Sequence, residues 1–383
     1  ASVAARAPDD KTVVIELDSP TPYFLDLMAT IAGAPMHEAS VAALGSDYSQ
    51  PGNMVSNGAY VMTESKPTEY VILDKNPNYK AADDVKIDRV YYYQVTDEAT
   101  AVRMFRAGDL DITRGSQGDN NAWAVENMPD AVQSATILGT EYYDFGTASP
   151  ELSDGNVRKA ISMVIDRVAL TEDILQTGEE PAFGLVPPGL AGYENPSVDW
   201  ADLSYVERIE QARALMEEAG YGPDKMLEFN INFNSSETHR KTAVAMSDML
   251  SDIYVVASPY NRDSSAYWDW LYTSNGEFGL GRDSWLADYP DPMVFLNQYI
   301  GDAGFELTGY RNADFDALIA AANQKLDPAE RMKMLAEAEQ MLLDDNVIIP
   351  LYNYKSVRLV NPAVTGWVNN AYALHPTASM AIN

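Results

Sequence analysis

The stretch GRDSWLADYPDPMVFLN, residues 281–297, places a tryptophan, a carboxylate and a Tyr-Pro turn close together. Taken alone, Trp285 and Asp288 allow two interpretations. One is a ligand site in which the carboxylate meets a positive charge. The other is a buried aromatic beside a turn-forming Asp, which describes most such residues. The remainder of the chain must discriminate between them.

Composition narrows the classes of partner. The 383 residues fit two or three domains, and no apolar run is long enough for a spanning helix. The net charge of −31, from 57 acidic and 26 basic residues, argues against nucleic acid and anionic membranes and favours an amine-bearing ligand. The chain has no cysteine, and its three histidines lack zinc-site spacing, so we expect no metal and no cofactor.

Strand and helix patterns alternate along the chain, which predicts an α/β fold. Ser204 with Glu207 forms a capping box, and Asp327, Pro328 and Glu330 mark another helix start. Further local predictions are a strand Lys11–Leu17 without a sequence-adjacent partner, strands at Tyr60–Thr63, Thr68–Asp74 and Ile87–Val95, and a helix capped by Thr96 that ends at Gly108.

Motifs of hydrolytic enzymes are missing, and we expect no enzymatic activity. Asp288 and Asp291 could form a glycosidase dyad, but the turn sequence DYPDP explains both residues more simply. A peptide-binding site needs a carboxylate for the terminal ammonium and backbone groups for the main chain. Asp288 suits the first role, and the Arg282 guanidinium suits a ligand carboxylate.

Seven segments, in this order, resemble the extracytoplasmic solute-binding proteins of peptide ABC importers, in the oligopeptide-binding branch (family 5). The resemblance covers essentially the whole chain. The segments are SPTPYFLDLM at 19–28, QPGNMVSNGAYVM at 50–62, VILDKNPNYK at 71–80, FRAGDLDIT at 105–113, VRKAISMVIDR at 157–167, SWLADYPDPMVFLN at 284–297 and IIPLYNYKSVRLVNPAVTGW at 348–367.

The resemblance implies roles for particular residues. Asp288 matches the aspartate that pairs with the α-ammonium of a peptide, and Trp285 and Leu286 fall where backbone groups line the peptide. Basic residues that meet peptide carboxylates are matched by Arg282 and His239, and a tyrosine on the ligand side is matched by Tyr354.

In some places the chain departs from the family pattern. Leu175 stands where the resemblance implies a lysine, and Ser274 where it implies an arginine, so capture of some peptide carboxylates is in question. The resemblance also implies a substantial portion before Lys11. We therefore expect the chain to hold part of the ligand cleft, or a remodelled site.

The function implied is that of a monomeric periplasmic receptor that closes two lobes around a short peptide and delivers it to an inner-membrane permease. The implied fold is the two-lobed periplasmic-binding-protein fold (type II-like) with mixed sheets, with hinges near Gly139–Thr140 and Lys355–Ser356. The expected domains are residues 1–37 as the remnant of an extra N-terminal domain, 38–139 with 356–383 as lobe one, and 140–355 as lobe two with the main ligand motif.

Several alternatives stay open at this point. Within the binding class, the solute could instead be a dipeptide, a nickel chelate, haem or a sugar. Outside it, the rivals are a carboxylate-dyad hydrolase and a truncated paralogue that binds nothing.

Overall fold

Strands occur along the whole chain and are separated by helices over most of it. The structure is a computed structural model that describes residues 4–17, 20–114, 118–176, 178–301 and 307–383. Within these ranges the strands are β1 (Ala5–Asp9), β2 (Thr12–Ile15), β3 (Tyr60–Lys66), β4 (Tyr70–Lys75), β5 (Arg89–Tyr93), β6 (Val132–Phe145), β7 (Glu180–Pro181), β8 (Leu227–Asn234), β9 (Val255–Arg262), β10 (Leu280–Leu286), β11 (Ile348–Leu359), β12 (Val364–Thr365) and β13 (Ala381–Ile382).

Two helix starts confirm the predicted caps. The Ser204 hydroxyl accepts a hydrogen bond from the Glu207 N–H, and the Glu207 carboxylate accepts one from the Ser204 N–H. Asp327 accepts from the Glu330 N–H in the same way. The α-helices are α1 (Phe24–Met28), α2 (Glu38–Leu44), α3 (Glu98–Ala107), α4 (Gly118–Asn127), α5 (Gly155–Val164), α6 (Tyr205–Glu218), α7 (Glu237–Ser251), α8 (Ser264–Thr273), α9 (Met293–Leu296), α10 (Ala313–Asn323) and α11 (Pro328–Asp344).

Two local predictions were wrong in detail. The cap of α3 is Asp97 rather than Thr96, because the Asp97 carboxylate is the group that accepts the Thr100 N–H, at 2.8 Å. The N-terminal strand does have a sequence-adjacent partner, since β1 pairs antiparallel with β2. The sequence did not indicate β1 as a strand, because its residues ARAPD have few apolar side chains and include a proline and two charges.

By its internal contacts the chain divides into two compact units. The domain boundaries expected from the sequence stay a prediction, although the contacts group the first 32 residues with the larger unit rather than apart from it. The larger unit comprises Ala1–Ala32, Leu138–Leu175 and Glu180–Tyr354, and the smaller one comprises Gly33–Ile137, Gln176–Glu179 and Lys355–Asn383.

The smaller unit contains the antiparallel sheet β3-β4-β5, which confirms the three strands predicted there. Tyr91 and Tyr93 lie on one face of β5, and their rings stack at 6.2 Å. Its core cluster joins α3 and α4 to the end of β11 through Val102, Phe105, Ala124, Ala131 and Leu359.

The larger unit is built on a six-stranded mixed sheet with the order β7-β11-β6-β10-β8-β9. Apolar side chains of β8 such as Ile231 and Phe233 are almost fully buried in its core. Strand β8 runs parallel to β9 and to β10, whereas β10 runs antiparallel to β6. The carboxyl ends of β8, β9 and β10 therefore meet at one edge, where ligand sites of open α/β sheets form.

Among the described helices, none has the length and apolar content that a membrane crossing requires.

Candidate functional site

The distal half of β10 has one open edge. Its seven residues all pair with β6, from Leu280 opposite Phe145 to Leu286 opposite Gly139. On its other side β10 pairs with β8 only at Leu280 and Gly281. Among the described strands, residues 282–286 therefore have a partner on one side only, and an extended peptide could add to the other.

The ladder decides which backbone groups point to this open edge. The Ala287 N–H donates to the Leu138 carbonyl at 2.7 Å, so the alternation of an antiparallel ladder directs the backbone groups of Trp285 toward β6 as well. Those of Ser284 and Leu286 point the other way. The Ser284 N–H is held by the Asp283 carboxylate at 2.6 Å, which leaves the Ser284 carbonyl and both groups of Leu286.

Sequence reasoning assigned the peptide-lining backbone to Trp285 and Leu286. The backbone groups that point to the open edge belong to Leu286, whose side chain is 55% exposed, and to Ser284, two residues before it. They do not belong to Trp285. The Trp285 side chain is half-buried, and its indole N–H is buried without a hydrogen-bond partner among the described residues.

Asp288 follows the end of β10 in a bend of the chain. Its side chain is exposed, and it forms no hydrogen bond or ion pair with any residue in the described ranges. The next residue, Tyr289, is buried and stacks on Tyr23 with ring centroids 5.0 Å apart. The bend is therefore anchored by Tyr289, while the carboxylate of Asp288 is left available for a positive charge.

Asp291 has a structural role beyond the turn that the sequence predicted. Its carboxylate forms a two-pronged ion pair with Arg331 of α11, at 2.5 and 2.9 Å, and both side chains are buried. It also accepts the Met293 N–H at the start of α9, at 3.0 Å. Because both of its oxygens are occupied, Asp291 is not available as the second acid of a glycosidase dyad.

Arg282 is buried and neutralised by Glu141 of β6. Its Nε donates to Glu141 Oε1 at 2.7 Å, and its Nη2 donates to Glu141 Oε2 and to the Tyr354 hydroxyl, the latter at 3.0 Å. The Tyr354 hydroxyl itself donates to Glu141. Burial opposes the charged guanidinium, but the Glu141 carboxylate outweighs it and holds the pKa of Arg282 well above its usual value.

The structure brings Arg282 and Tyr354 together, while their roles toward a ligand stay predictions. It also shows that Nε and Nη2 of Arg282, the pair of donors that would bind a ligand carboxylate, already donate to Glu141. Sequence reasoning missed Glu141, and the signal for it was that Glu141 is one of two acidic residues, with Asp144, beside the tyrosines at the buried end of β6.

His239 lies in the first turn of α7, at the carboxyl edge of the sheet. Its Nδ1 lies 3.1 Å from the Asn234 carbonyl. Burial lowers the pKa of His239, and the charge of Arg282 lowers it further against the opposing charge of Glu141. The neutral form of the ring is therefore favoured at pH 7, and in that form it is a hydrogen-bonding group rather than a cation.

Two acidic residues lie together on the other face of β6 and β10, away from Arg282 and Glu141. Asp144 and Asp283 are fully buried within hydrogen-bond reach of each other, and the Tyr299 hydroxyl donates to Asp144 at 3.2 Å. Burial raises the pKa of Asp283 to about 6, and burial together with the charge of Asp283 raises that of Asp144 well above its usual value. Burial therefore favours the protonated form of this carboxyl pair.

Within the described ranges, no three His, Asp or Glu side chains come close enough to hold a metal ion. The edge of β10 offers hydrogen bonds along an open strand and the free carboxylate of Asp288.

Comparison with known proteins defines the class. Residues 1–306 match the family described as bacterial extracellular solute-binding proteins, family 5 Middle. This chain belongs to that family. The resemblance and the two-lobed α/β periplasmic-binding-protein fold expected from the sequence are thereby confirmed.

Named relatives specify the branch. The periplasmic oligopeptide-binding protein OppA of Escherichia coli (strain K12) is 32% identical over 373 residues, which are 95% of this chain and 67% of that protein. The structure of the Escherichia coli murein tripeptide binding protein MppA superposes with a TM-score of 0.86 at 32% identity, over 99% of this chain and 74% of that one. Haemophilus influenzae OppA in complex with RPPGFSPFR gives 0.83 at 27% identity, over 99% and 75%.

Proposed function

We propose that this chain is the receptor of an ABC importer, which captures short peptides outside the cytoplasm and delivers them to a membrane permease. The observation that carries the proposal is the position of Asp288. An exposed, unpaired carboxylate directly follows a strand whose edge is open, which is what a peptide with a free ammonium and a free backbone requires.

Recognition in this proposal is independent of peptide sequence. The backbone of the peptide pairs with the Ser284 carbonyl and with the N–H and carbonyl of Leu286. Its ammonium meets Asp288, which fixes the direction and register of the added strand. Main-chain hydrogen bonds and one charge pair provide affinity without reading side chains, and the net charge of −31 favours the amine over anionic solutes.

The relatives support the peptide as solute, since they are named for oligopeptides and a murein tripeptide. Their periplasmic description supports an extracytoplasmic location, and membership of a solute-binding family supports a function without enzymatic turnover. Strands β6 and β11 each pass from one compact unit to the other, near Leu138 and Lys355. The hinges proposed at these strands, delivery to an inner-membrane permease and the monomeric state stay predictions.

Native mass spectrometry of the purified protein, with tri- to pentapeptides added, tests the proposal. In the mass spectra we expect adducts at peptide mass. In thermal unfolding with the same peptides we expect a rise in the melting temperature, because a ligand that binds only the folded state stabilises it by mass action. The same peptides hydrolysed to free amino acids serve as the control and should cause no shift. A sugar, haem or nickel chelate that shifts the melting temperature while the peptides do not would overturn the proposal.

A further inference from the structure

Arg262 is the last residue of β9, and its guanidinium packs on two aromatic rings. It is 4.6 Å from the ring centroid of Tyr260 and 4.3 Å from that of Trp270 on α8. Its Nη2 lies 3.5 Å from Asn232 Oδ1, at the outer limit of a hydrogen bond. Its Nε is buried and has no hydrogen-bond partner within the described ranges.

The absence of an acidic partner distinguishes Arg262 from the other arginines of the sheet edge. None of the ion pairs among described residues includes Arg262, although acidic residues outnumber basic ones by 57 to 26. Arg282 is paired with Glu141 and Arg331 with Asp291. A buried N–H of a cation without an acceptor costs free energy, and that cost is removed when a ligand supplies the acceptor.

Arg262 lies at the same edge of the sheet as the candidate site. It is opposite Asn234 of β8, whose carbonyl contacts His239. Two strand spacings, about 10 Å, separate β9 from β10. Helix α8, which carries Trp270, is fastened to β10 because the Tyr267 hydroxyl donates to the Arg282 carbonyl at 2.6 Å.

We propose that Arg262 is a specificity-determining residue that binds a carboxylate of the peptide. The inference rests on the function proposed above. It adds that the peptide must carry a carboxylate in the part away from its α-ammonium. Contact with the two rings restricts the guanidinium, which lowers the entropy lost when a carboxylate binds to its fork. Arg282 does not serve this purpose as well, because Glu141 already neutralises it. The carboxylate is either the C-terminus or an acidic side chain.

Isothermal titration calorimetry with tri-, tetra- and penta-alanine, each as free acid and as C-terminal amide, tests this role. We expect the native protein to bind the best free acid about 10- to 100-fold more tightly than its amide, which is the value of a charge-assisted hydrogen bond. Arg262→Gln should remove this preference and bind both forms like the amide. Arg262→Lys should keep part of it, because the charge stays while the fork is lost.

The matched control is Arg240→Gln, since Arg240 is an exposed arginine paired with Glu237 on α7. It should leave the preference unchanged. An amidated peptide with one added glutamate separates the two sources of carboxylate: it regains the lost affinity only if the side chain is the group that is bound. Thermal unfolding of each variant confirms that it is folded.

The outcomes separate the two proposals. If the native protein binds acids and amides equally, or if Arg262→Gln keeps the full preference, the role of Arg262 is overturned while the peptide receptor stands. If the native protein binds none of the peptides, the receptor function itself is overturned.

Discussion

Arg282 and Glu141 form a diagonal pair on one face of two neighbouring antiparallel strands, and both Nε and Nη2 of the arginine donate to the one carboxylate. Both side chains are almost fully buried. The ligand edge of β10 therefore lies beside a closed charge pair. The site offers a ligand the negative charge of Asp288, in the bend after β10, and, by our proposal, the positive charge of Arg262 on β9.

The first prediction concerns the cost of breaking the Arg282–Glu141 pair. Glu141→Gln should lower the free energy of unfolding by about 3–5 kcal/mol, because it leaves a buried guanidinium uncompensated. Urea unfolding measures the change. Glu237→Gln, which breaks the exposed pair with Arg240, should have no measurable effect. In the double variant Glu141→Gln, Arg282→Gln, part of the loss should be recovered. A double variant less stable than Glu141→Gln alone would contradict the assignment.

The second prediction separates stability from binding at Asp291. Asp291→Ala should lower the free energy of unfolding by about 3–5 kcal/mol, since Arg331 is then buried without its partner. Peptide affinity, measured by calorimetry where the variant is folded, should stay close to that of the native protein. Asp288→Ala should do the opposite, with little effect on stability and a large effect on affinity. Equal effects of the two variants on affinity would be inconsistent with the site described.

The third prediction is a pH dependence that comes from Asp144 and Asp283. Both have a pKa above that of an unfolded Asp, about 3.9, so the folded state holds protons that the unfolded state releases. Their contribution to stability is fully present below about pH 4. It is lost, at up to about 1.4 kcal/mol per pH unit and group, as pH rises through 6.

Asp144→Asn isolates this contribution, because the amide stays neutral and still donates to Asp283 and accepts from Tyr299. Thermal unfolding between pH 5 and 8 should show the native protein losing stability relative to the variant as pH rises. The control Asp199→Asn changes an exposed partner of Lys159 and should show no such trend. Parallel curves for the native protein and Asp144→Asn would contradict a raised pKa of Asp144.

The sequence predicted several elements of the fold and the stretch, residues 281–297, that carries the candidate site. Caps such as Asp327 act through local hydrogen bonds, so residue type and spacing identify them. Asp288 and Arg282 could be selected because they lie in one motif. The partner of Arg282 could not, since Glu141 is 141 positions away and meets it only through the register of β6 and β10.

Contacts between residues far apart in the sequence also explain why the open edge of β10 and the surroundings of Arg262 were not predicted. The open edge of β10 depends on where its pairing with β8 ends, and no local pattern encodes that point. Arg262 lies in a stretch, SPYNRDSSAYWDW, whose aromatic residues resemble core positions. Only the fold shows that Tyr260 and Trp270 both contact the guanidinium of Arg262, which has no acidic partner among the described residues.

The central claim is that Asp288 binds the α-ammonium of a peptide, and one calorimetric cycle tests it directly. The four measurements combine the native protein or Asp288→Asn with a peptide or its N-acetylated form. The account predicts that either change alone weakens binding about 10- to 100-fold, because each removes one partner of the charge pair, and that the second change then costs nothing further. Losses that simply add, or an N-acetylated peptide that binds the native protein as tightly as the free one, would contradict it.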